Sequence, residues 1–328
     1  MNDYDLKKYL EEIKTGIVSL EQRISRLENT SERVEDVASS IINRENEIFE
    51  FVESQINGRT LTLEWVTNKI DFEVVNLHKM VESLYIQKEV NDSSFLNCLK
   101  ALPKYQFICE KVIADDSMDH VSPESTYEGV VSKPLFVKAC ERVLEKTKLN
   151  FLDLGCGAGS IVMDFLKRGH FAVGIDGSDS CLKADVGYWN YIDFLHTCDT
   201  SKPFKFYDVN GKQIKFDVIS MWEVFEHIPE ELCGQVVREI VHNLSDEGFF
   251  VGSISKLEYV NSESGKPYHV TLKPKSWWDK LFEENGLKVM NSPFAHEEYC
   301  RGVGGSYQDV HNYLKSPETG FHIFAVKR

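Results

Sequence analysis

The stretch "FLDLGCGAGS", residues 151–160, decides the fold of the chain around it. An apolar run carries Asp153 and leads into three alternating glycines, Gly155, Gly157 and Gly159, and the apolar-periodic "IVMDFLKRG" follows directly. This order predicts a strand, a tight turn and a helix, the setting in which a glycine-rich turn binds a ligand. Glycines in such a turn allow positive φ and let a ligand approach the backbone closely.

Short apolar strands alternate with helical stretches from residue 149 onward. The predicted strands are "LNFLDLG", "FAVGID", "DFLHTCD", "FDVISM", "GFFVGSIS", "LKVM" and "GFHIFAVK". Such alternation is typical of parallel βαβ units, so the sequence predicts an α/β layer architecture.

An acid ends the second of these strands, in "FAVGIDGSDS". In doubly wound folds an acid at this place, here Asp176, binds ribose hydroxyls. Dinucleotide enzymes share that acid, but their turns read GxGxxG and face a pyrophosphate. This chain instead has Asp153 before its first glycine, and a carboxylate there repels a pyrophosphate but can meet a cationic amino acid group.

With "FLDLGCGAGS", "VGID" and "FDVISMWEVFEHIPEE", residues 150–328 resemble the class I S-adenosylmethionine-dependent methyltransferases. The resemblance implies a Rossmann-like, mostly parallel seven-stranded sheet with a final antiparallel strand and helices on both faces. It also implies that the glycine turn holds the methionine end of the cofactor and that Asp176 binds the ribose. An acid after strand three would bind the adenine. Asp199 is our choice for that acid. Asp208 is the second choice, because the Asn-Gly pair that follows it predicts a hairpin turn.

The cofactor S-adenosylmethionine is thus expected to contact a set of residues that spans the first four strands. They are Asp153, Gly155, Cys156, Gly157, Gly159, Asp176, Gly177, Ser178, Asp199, Thr200, Trp222 and Glu223. Cys156 is small enough for the crowded turn and is not expected to act as a nucleophile.

The fourth strand runs into "MWEVFEHIPEE", which places Glu223, Glu226 and His227 at i, i+3 and i+4. In a helical turn these side chains would share one face, at the sheet edge where α/β proteins bind ligands. Three interpretations stay open. Glu223 lines the cofactor pocket while Glu226 and His227 are structural, or His227 is a general base, or all three bind a metal ion.

The metal interpretation needs a fourth group, and His269 in "KPYHVTLKPKSWW" is the candidate. The ExxEH pattern with this histidine resembles the small-RNA 2′-O-methyltransferases, which hold a divalent ion this way, and the ubiquinone-biosynthesis O-methyltransferases. Carboxylates and imidazoles suit Mg²⁺ or Mn²⁺, and such an ion would lower the pKa of an acceptor hydroxyl. Catalytic roles are therefore predicted for Glu223, His227 and His269, although a loop histidine bonded to the backbone is the alternative for His269.

Two long connections predict substrate contacts, because long loops in compact domains are usually functional. His120 lies in "DDSMDHVSPEST", and Arg301 lies between the last two strands, where it could bind an anionic or sugar group. The alternative for each of these two residues is a structural role, packed within its loop.

The arrangement of these segments is similar to methyltransferases of bacterial surface-polysaccharide pathways. It implies O-methylation of a sugar hydroxyl or phosphate on a glycan or glycosylated acceptor. A phenol or quinone O-methyltransferase, an RNA 2′-O-methyltransferase, and an assembly factor with a vestigial fold are the alternatives.

The first fifty residues carry a heptad repeat that predicts a coiled coil. One seam consists of Leu6, Ile13, Leu20, Leu27, Val34, Ile41 and Ile48. We expect residues 1–90 to self-associate, 91–148 to form a linker and substrate-side helical segment, and 149–328 to form the methyltransferase domain. A hairpin and a register shift both fit the Asn-Gly pair at 57–58.

Composition limits the classes of function. The 328 residues are 42% hydrophobic and 27% charged, as in ordinary soluble proteins, and no apolar run is long enough to span a bilayer. The N-terminus lacks the apolar region of a secretory signal, so a cytoplasmic location is expected. The eight cysteines include no CxxC pair. A net charge of −15 argues against nucleic-acid binding.

Overall fold

The computed structural model describes residues 83, 85–121, 131–261, 265–304 and 312–328. The chain divides into two compact units, Met1–Asp92 and Ser93–Arg328. The predicted coiled coil lies outside the described residues except at its C-terminal end, where 85–90 are helical. Within the described part of the chain, no helix is both long enough and apolar enough to cross a membrane.

Within its described residues, the second unit contains nine strands. In chain order they are β1 (Tyr105–Cys109), β2 (Asn150–Leu154), β3 (Phe171–Asp176), β4 (Leu195–Thr197), β5 (Phe204–Asp208), β6 (Phe216–Trp222), β7 (Leu244–Ser255), β8 (Leu287–Val289) and β9 (Gly320–Lys327). Seven of them form one sheet in the order β4-β3-β2-β6-β7-β9-β8. Strands β2, β3, β4, β6 and β7 pair in parallel, whereas β9 runs antiparallel to both β7 and β8. The predicted mostly parallel seven-stranded sheet is confirmed, with one strand for each predicted apolar run.

Helices connect the strands. They are α1 (Ser93–Ala101), α2 (Met118–Val121), α3 (Pro134–Leu144), α4 (Ser160–Lys167), α5 (Ser180–Lys183), α6 (Glu230–Asn243) and α7 (Lys275–Glu284). Two 3₁₀ turns, Phe225–His227 and His296–Glu298, complete the described elements. Pro134 begins α3, where its missing N–H costs nothing and its fixed φ suits the helix.

Both faces of the sheet are buried, as expected for parallel strands that read as continuous apolar runs. On one face Phe151 of β2 stacks on Phe165 of α4 with ring centroids 3.8 Å apart. On the other face Leu152 and Leu154 belong to a core cluster that includes Trp278 of α7. This alternation within β2 follows from the two-residue period of a strand, and it places helices on both sides.

The core also fixes the turn that follows β6. The Phe225 ring lies 5.4 Å from Trp278 and 5.3 Å from Phe282, in edge-to-face geometry. All three side chains are essentially inaccessible to solvent. Because Phe225 anchors the 3₁₀ turn, the two residues after it, Glu226 and His227, have defined positions.

The pairing of β1 with β5 was not predicted. These strands form an antiparallel ribbon in which Phe107 lies opposite Phe206. For the segment around β5 the sequence predicted only a hairpin turn, and Gly211 does adopt a turn conformation there, with φ of 77°. Its partner strand is about a hundred residues away in the sequence, and such non-local pairing leaves no local sequence pattern.

We expect Trp278→Ala to lower the free energy of unfolding by about 3–5 kcal/mol, because it removes a fully buried aromatic side chain. The neighbouring Trp277 is only partly buried, so Trp277→Ala is the matched control, with an expected loss of about 1 kcal/mol. Urea unfolding followed by far-UV circular dichroism measures both. Equal losses would show that α7 does not pack as described.

Candidate active site

The three glycines after β2 all adopt left-handed backbone conformations, with φ of 75°, 49° and 81°. A Cβ on Gly155 would lie 2.3 Å from Val224, and one on Gly159 would lie 2.6 Å from Leu195. These two glycines therefore permit close packing of the turn. In the part of the chain that the structure describes, no atom other than those of Gly157 and its two chain neighbours lies within 4 Å of the corresponding position on Gly157, so the backbone is open to a ligand at that point.

The carboxylate of Asp176 joins this turn to the end of β3. One of its oxygens accepts a hydrogen bond from the Gly157 amide and the other accepts one from the Ser178 amide, both at 2.9 Å. Burial raises the pKa of Asp176 to about 6, against the lowering effect of these two amides. Asp176 thus connects the turn after β2 to the loop after β3, and a ligand bound there would contact both.

Asp153 lies inside the sheet and is 2% exposed. It accepts a hydrogen bond of 2.5 Å from the Ser220 hydroxyl on the neighbouring strand β6. Burial is the largest cause that raises the pKa of Asp153 to about 8, and the charge of Asp176 adds to it. A cation brought beside Asp153 would restore its ionised form.

The two candidate acids for the adenine differ in position. Asp199 follows β4, accepts hydrogen bonds from the Ser201 amide and hydroxyl, and lies 3.6 Å from the Lys111 ammonium. Asp208 instead accepts the amides of Asn210 and Lys212 within the β5 turn. Asp199 is at the edge of the cavity described next, and Asp208 is not.

One cavity of about 660 Å³ lies at the carboxyl ends of β2, β3, β4, β6 and β7. Of the residues predicted from the sequence, those lining it are Asp153, Gly155, Cys156, Gly157, Asp176, Gly177, Ser178, Asp199, Thr200, Trp222, Glu223, His227, His269 and Arg301. Gly159, Glu226 and His120 do not line it. Cys156 is buried beside two acids, and burial raises the pKa of its thiol well above the usual value. It therefore stays protonated.

Glu223, Glu226 and His227 do not share one helical face, because no helical turn contains all three. Strand β6 continues to Trp222, Glu223 has a left-handed backbone with φ of 55°, and the helical turn begins only at Phe225. Glu223 lines the cavity and its carboxylate accepts a hydrogen bond from the Tyr313 hydroxyl. It lies outside the cluster described next, although its charge adds to the effect of burial in raising the pKa of Glu226.

Glu226, His227 and His269 do come together, with one potential ligand atom from each lying within 4.8 Å of the others. The amides of Val270 and Thr271 donate to the Glu226 carbonyl at 2.7 and 3.0 Å. These bonds dock the loop that carries His269 onto the 3₁₀ turn. The meeting of the two histidines thus depends on backbone hydrogen bonds between segments forty residues apart.

Of the three side chains, Glu226 is buried and the two histidines are half-buried. The Glu226 carboxyl is fully buried, and the Ser255 amide donates to one oxygen at 2.9 Å, while the other oxygen has no partner among the described residues. Burial raises the pKa of Glu226 well above its ordinary value. Burial also lowers the pKa of His227 and of His269 to about 4 each. Both imidazoles are therefore neutral at pH 7, the form that can accept a proton or bind a metal ion.

The sequence interpretation missed Asp119 and misplaced its neighbour. The Asp119 carboxylate lines the cavity and lies 3.5 Å from Nδ1 of His227. His120 was expected in the cleft, but its Nδ1 lies 3.7 Å from Asp179 outside the cavity. Successive side chains of a helix diverge by about 100°, so only one residue of the pair can face the cavity. Both residues lie in "DDSMDHVSPEST", the long connection for which the sequence predicted substrate contacts.

Residues 133–292, a little under half of the chain, match the family model described as a methyltransferase domain. No curated protein gives a significant match over the sequence.

Among solved structures, the fold is similar to three methyltransferases. A TehB-like S-adenosylmethionine-dependent methyltransferase from Corynebacterium glutamicum is 15% identical, with 59% of this chain and 88% of that chain covered and a TM-score of 0.39. The 1,6-didemethyltoxoflavin-N1-methyltransferase from Burkholderia thailandensis is 15% identical over 64% and 84%, with a TM-score of 0.43. The CcbJ methyltransferase from Streptomyces caelestis is 11% identical over 65% and 96%, with a TM-score of 0.41. Similarities this weak do not identify the acceptor that this chain methylates.

We expect Gly157→Ala to weaken the affinity for S-adenosylhomocysteine about tenfold or more, because the added methyl group occupies open space at the cavity. Gly211→Ala is the matched control, since Gly211 also has positive φ and open space but lies in the β5 turn. Both variants carry the same backbone cost of about 1–2 kcal/mol. Isothermal titration calorimetry measures the affinities. An equal loss in both variants would contradict a specific role for Gly157.

The match over residues 133–292, the confirmed seven-stranded sheet and the glycine turn tied to Asp176 at the cavity lead to the same conclusion. The protein is an S-adenosylmethionine-dependent methyltransferase, and residues 133–292 lie in its methyltransferase domain.

Proposed function

We propose that the enzyme methylates a hydroxyl or phosphate oxygen of a sugar, on a glycan, a glycosylated acceptor or a small hydroxylated molecule. The observation that carries this proposal is a group of polar side chains at the β6 and β7 end of the cavity, where Ile228 and Leu257 also line it. Asp119, His227, Glu258, Tyr259 and His269 all line it there. Polar side chains of this kind match an acceptor rich in hydroxyl groups better than a lipid-like ring.

The order of the strands gives room for both reactants. Asp199, Asp176 and Asp153 lie on β4, β3 and β2 or directly after them, so adenosylmethionine would extend along these three strands. Neighbouring strands are about 4.8 Å apart, so β4 and β7 are separated by about 19 Å. The acceptor would then occupy the part of the cavity over β6 and β7.

The residues over β6 and β7 offer the donor atoms that a divalent ion needs. Glu226, His227 and His269 offer a carboxylate and two neutral imidazoles within 4.8 Å, and one Glu226 oxygen is buried without a partner among the described residues. We propose that these three would hold Mg²⁺ or Mn²⁺. Such an ion supplies Lewis-acid activation of an acceptor hydroxyl. Glu223, the fourth residue expected from the sequence, lies outside this cluster, with its carboxylate bonded to Tyr313.

In the proposed transfer, an acceptor oxygen attacks the methyl carbon of the sulfonium in line with the carbon–sulfur bond. That bond breaks, and its electron pair stays on sulfur, which leaves neutral S-adenosylhomocysteine. Where Glu226, His227 and His269 hold no ion, the acceptor proton would pass to a ring nitrogen of His227, which is neutral and faces the cavity. Where they hold one, the ion would instead lower the pKa of the acceptor hydroxyl. The chain contributes chiefly by holding the two reactants in this geometry. Arg301, also at the cavity, is suited to bind a phosphate or carboxylate of the acceptor.

The other functions have weaker support. A net charge of −15 opposes binding of an RNA backbone. An assembly factor with a vestigial site would not need an open, correctly formed glycine turn beside a cavity of this size. We further propose that residues 1–90 self-associate as a coiled coil, which would bring several catalytic domains to one acceptor.

Incubation with methyl-labelled S-adenosylmethionine tests the acceptor class. We expect label in hydroxylated sugars or sugar phosphates, and none in phenols, quinols or RNA. Transfer only to phenols or only to RNA would refute the proposed class, provided that calorimetry shows normal cofactor binding in the same sample.

Binding of Mn²⁺ tests the cluster. We expect Glu226→Gln and His269→Ala each to weaken Mn²⁺ binding about 100-fold, because each removes one ligand. The control is His242→Ala, since His242 is exposed and distant from the cavity. Isothermal titration calorimetry with Mn²⁺ measures the affinities. Full activity of the wild type in excess chelator would exclude the ion and leave His227 as the base.

Cofactor binding should release a proton at pH 7. Asp153 is mostly protonated there, because its pKa is raised to about 8, and the cationic amino group of the cofactor would favour the carboxylate. The affinity should therefore rise as the pH increases from 7 to 8. Calorimetry in buffers of different ionisation enthalpy measures the proton count. Asp153→Asn should abolish the release, and release that persists in this variant would contradict the assignment.

A further inference from the structure

In both histidines of the cluster, Nδ1 lies near an oxygen. Nδ1 of His269 is 2.6 Å from the Leu257 carbonyl, a distance at which the N–H of that nitrogen donates. Nδ1 of His227 is 3.5 Å from the Asp119 carboxylate, and it is buried without a formed hydrogen bond among the described residues. In a neutral imidazole one nitrogen carries the proton and the other accepts. If Nδ1 is the protonated nitrogen in both rings, both Nε2 atoms keep a free lone pair.

We propose that Asp119 is the positioning residue of His227, and that its carboxylate holds the ring as the Nδ1–H tautomer with Nε2 available for chemistry. This inference rests on the proposed function, since it gives His227 a task at the acceptor. It holds whether Nε2 takes the acceptor proton or binds the ion, because both tasks need the same lone pair.

The surroundings of His227 support Asp119 in this role. The ring lies with its edge toward Tyr268 and His269, with centroids 5.2 and 4.7 Å away. Glu226 is also near, but among the described residues its carboxylate forms no ion pair with the ring within 4.0 Å. Within the described ranges, Asp119 is the carboxylate at ion-pair distance from the ring.

Asp119 itself is held in a restricted environment. Its backbone amide donates to the Ser117 hydroxyl at 3.2 Å. Burial raises the pKa of Asp119, while hydrogen bonds from Tyr268 and Ser117 and the nearby His269 favour its charged form. A partly buried carboxylate is stabilised by additional donors, and the N–H of His227, 3.5 Å away, would become such a donor if this contact shortened when the reactants bind.

The segment that carries Asp119 comes from the cofactor side of the cavity. The Ala114 amide donates to the Gly177 carbonyl at 2.9 Å, directly after the ribose-side acid Asp176. The Ser117 amide then donates to the Ala114 carbonyl, also at 2.9 Å. Residues 114–119 therefore run from the cofactor end to the histidines, so the chain before the central sheet contributes to the acceptor end.

Ring-nitrogen spectroscopy tests the tautomer directly. We would record long-range ¹H–¹⁵N correlations of the ¹⁵N-histidine-labelled full chain with S-adenosylhomocysteine bound, and assign His227 by its loss in His227→Gln. The wild type should show the Nδ1–H form. Asp119→Asn should shift His227 toward the Nε2–H form or a mixture, because an amide can donate to Nδ1 as well as accept from it.

Kinetics give the second readout. Asp119→Asn should lower kcat about 10–100-fold, as for other residues that orient a catalytic histidine, with little change in the affinity for S-adenosylhomocysteine. Asp119→Glu, which restores a carboxylate, should recover part of the activity. The matched control is Asp115→Asn in the same segment, where the side chain is 67% exposed and pairs with Lys111. It should change neither the tautomer nor kcat.

Two results would overturn the inference. One is an unchanged His227 tautomer in Asp119→Asn, and the other is an equal loss of kcat in the Asp115 control. If the wild type methylates no sugar acceptor, the proposed function fails instead, and the ring-nitrogen spectra still decide the role of Asp119. If Asp119→Asn does not fold, Asp119→Ser, which also removes the carboxylate, supplies the same two measurements.

Discussion

The hydrogen bonds from the Gly157 and Ser178 amides to the Asp176 carboxylate are the interaction on which the site depends. One carboxylate connects the turn after β2 to the loop after β3, at the edge where parallel strands end together. Bonds from backbone amides to an ionised acid are strong for their kind, and here they fix a backbone that has positive φ. A ligand that binds across both loops meets a surface that is already formed.

Burial of the ionisable groups in this site costs free energy of folding, which argues that they serve function more than stability. Asp153 and Glu226 are withdrawn from solvent and Asp119 is partly so, and burial raises the pKa of each. Uncompensated polar groups in the interior destabilise a fold. The same arrangement becomes favourable when a cationic cofactor or a divalent ion is present, so binding would supply part of the missing stabilisation. Perturbed carboxyl and imidazole groups that share a cleft are typical of catalytic sites.

The aromatic core determines where this chemistry is placed. Phe225, held between Trp278 and Phe282, fixes the short turn after β6, and the Glu226 carbonyl then receives the loop that carries His269. The packing of one face of the sheet is thereby linked to the geometry of the acceptor end. A change in the core could therefore alter catalysis without touching a reactive group, because a well-packed interior transmits small displacements.

The sequence alone determined the seven strands, the glycine turn and the acids Asp153, Asp176 and Asp199, because each follows from a local pattern of apolar period, glycine spacing or position at a strand end. Tertiary structure alone decided the β1–β5 ribbon, the separation of Glu223 from Glu226, and the approach of Asp119 to His227. The physical reason is the range of the interactions. Backbone pairing and side-chain contacts between segments a hundred residues apart have no local period, and a single left-handed residue at Glu223 redirects a cluster that spacing would have kept together.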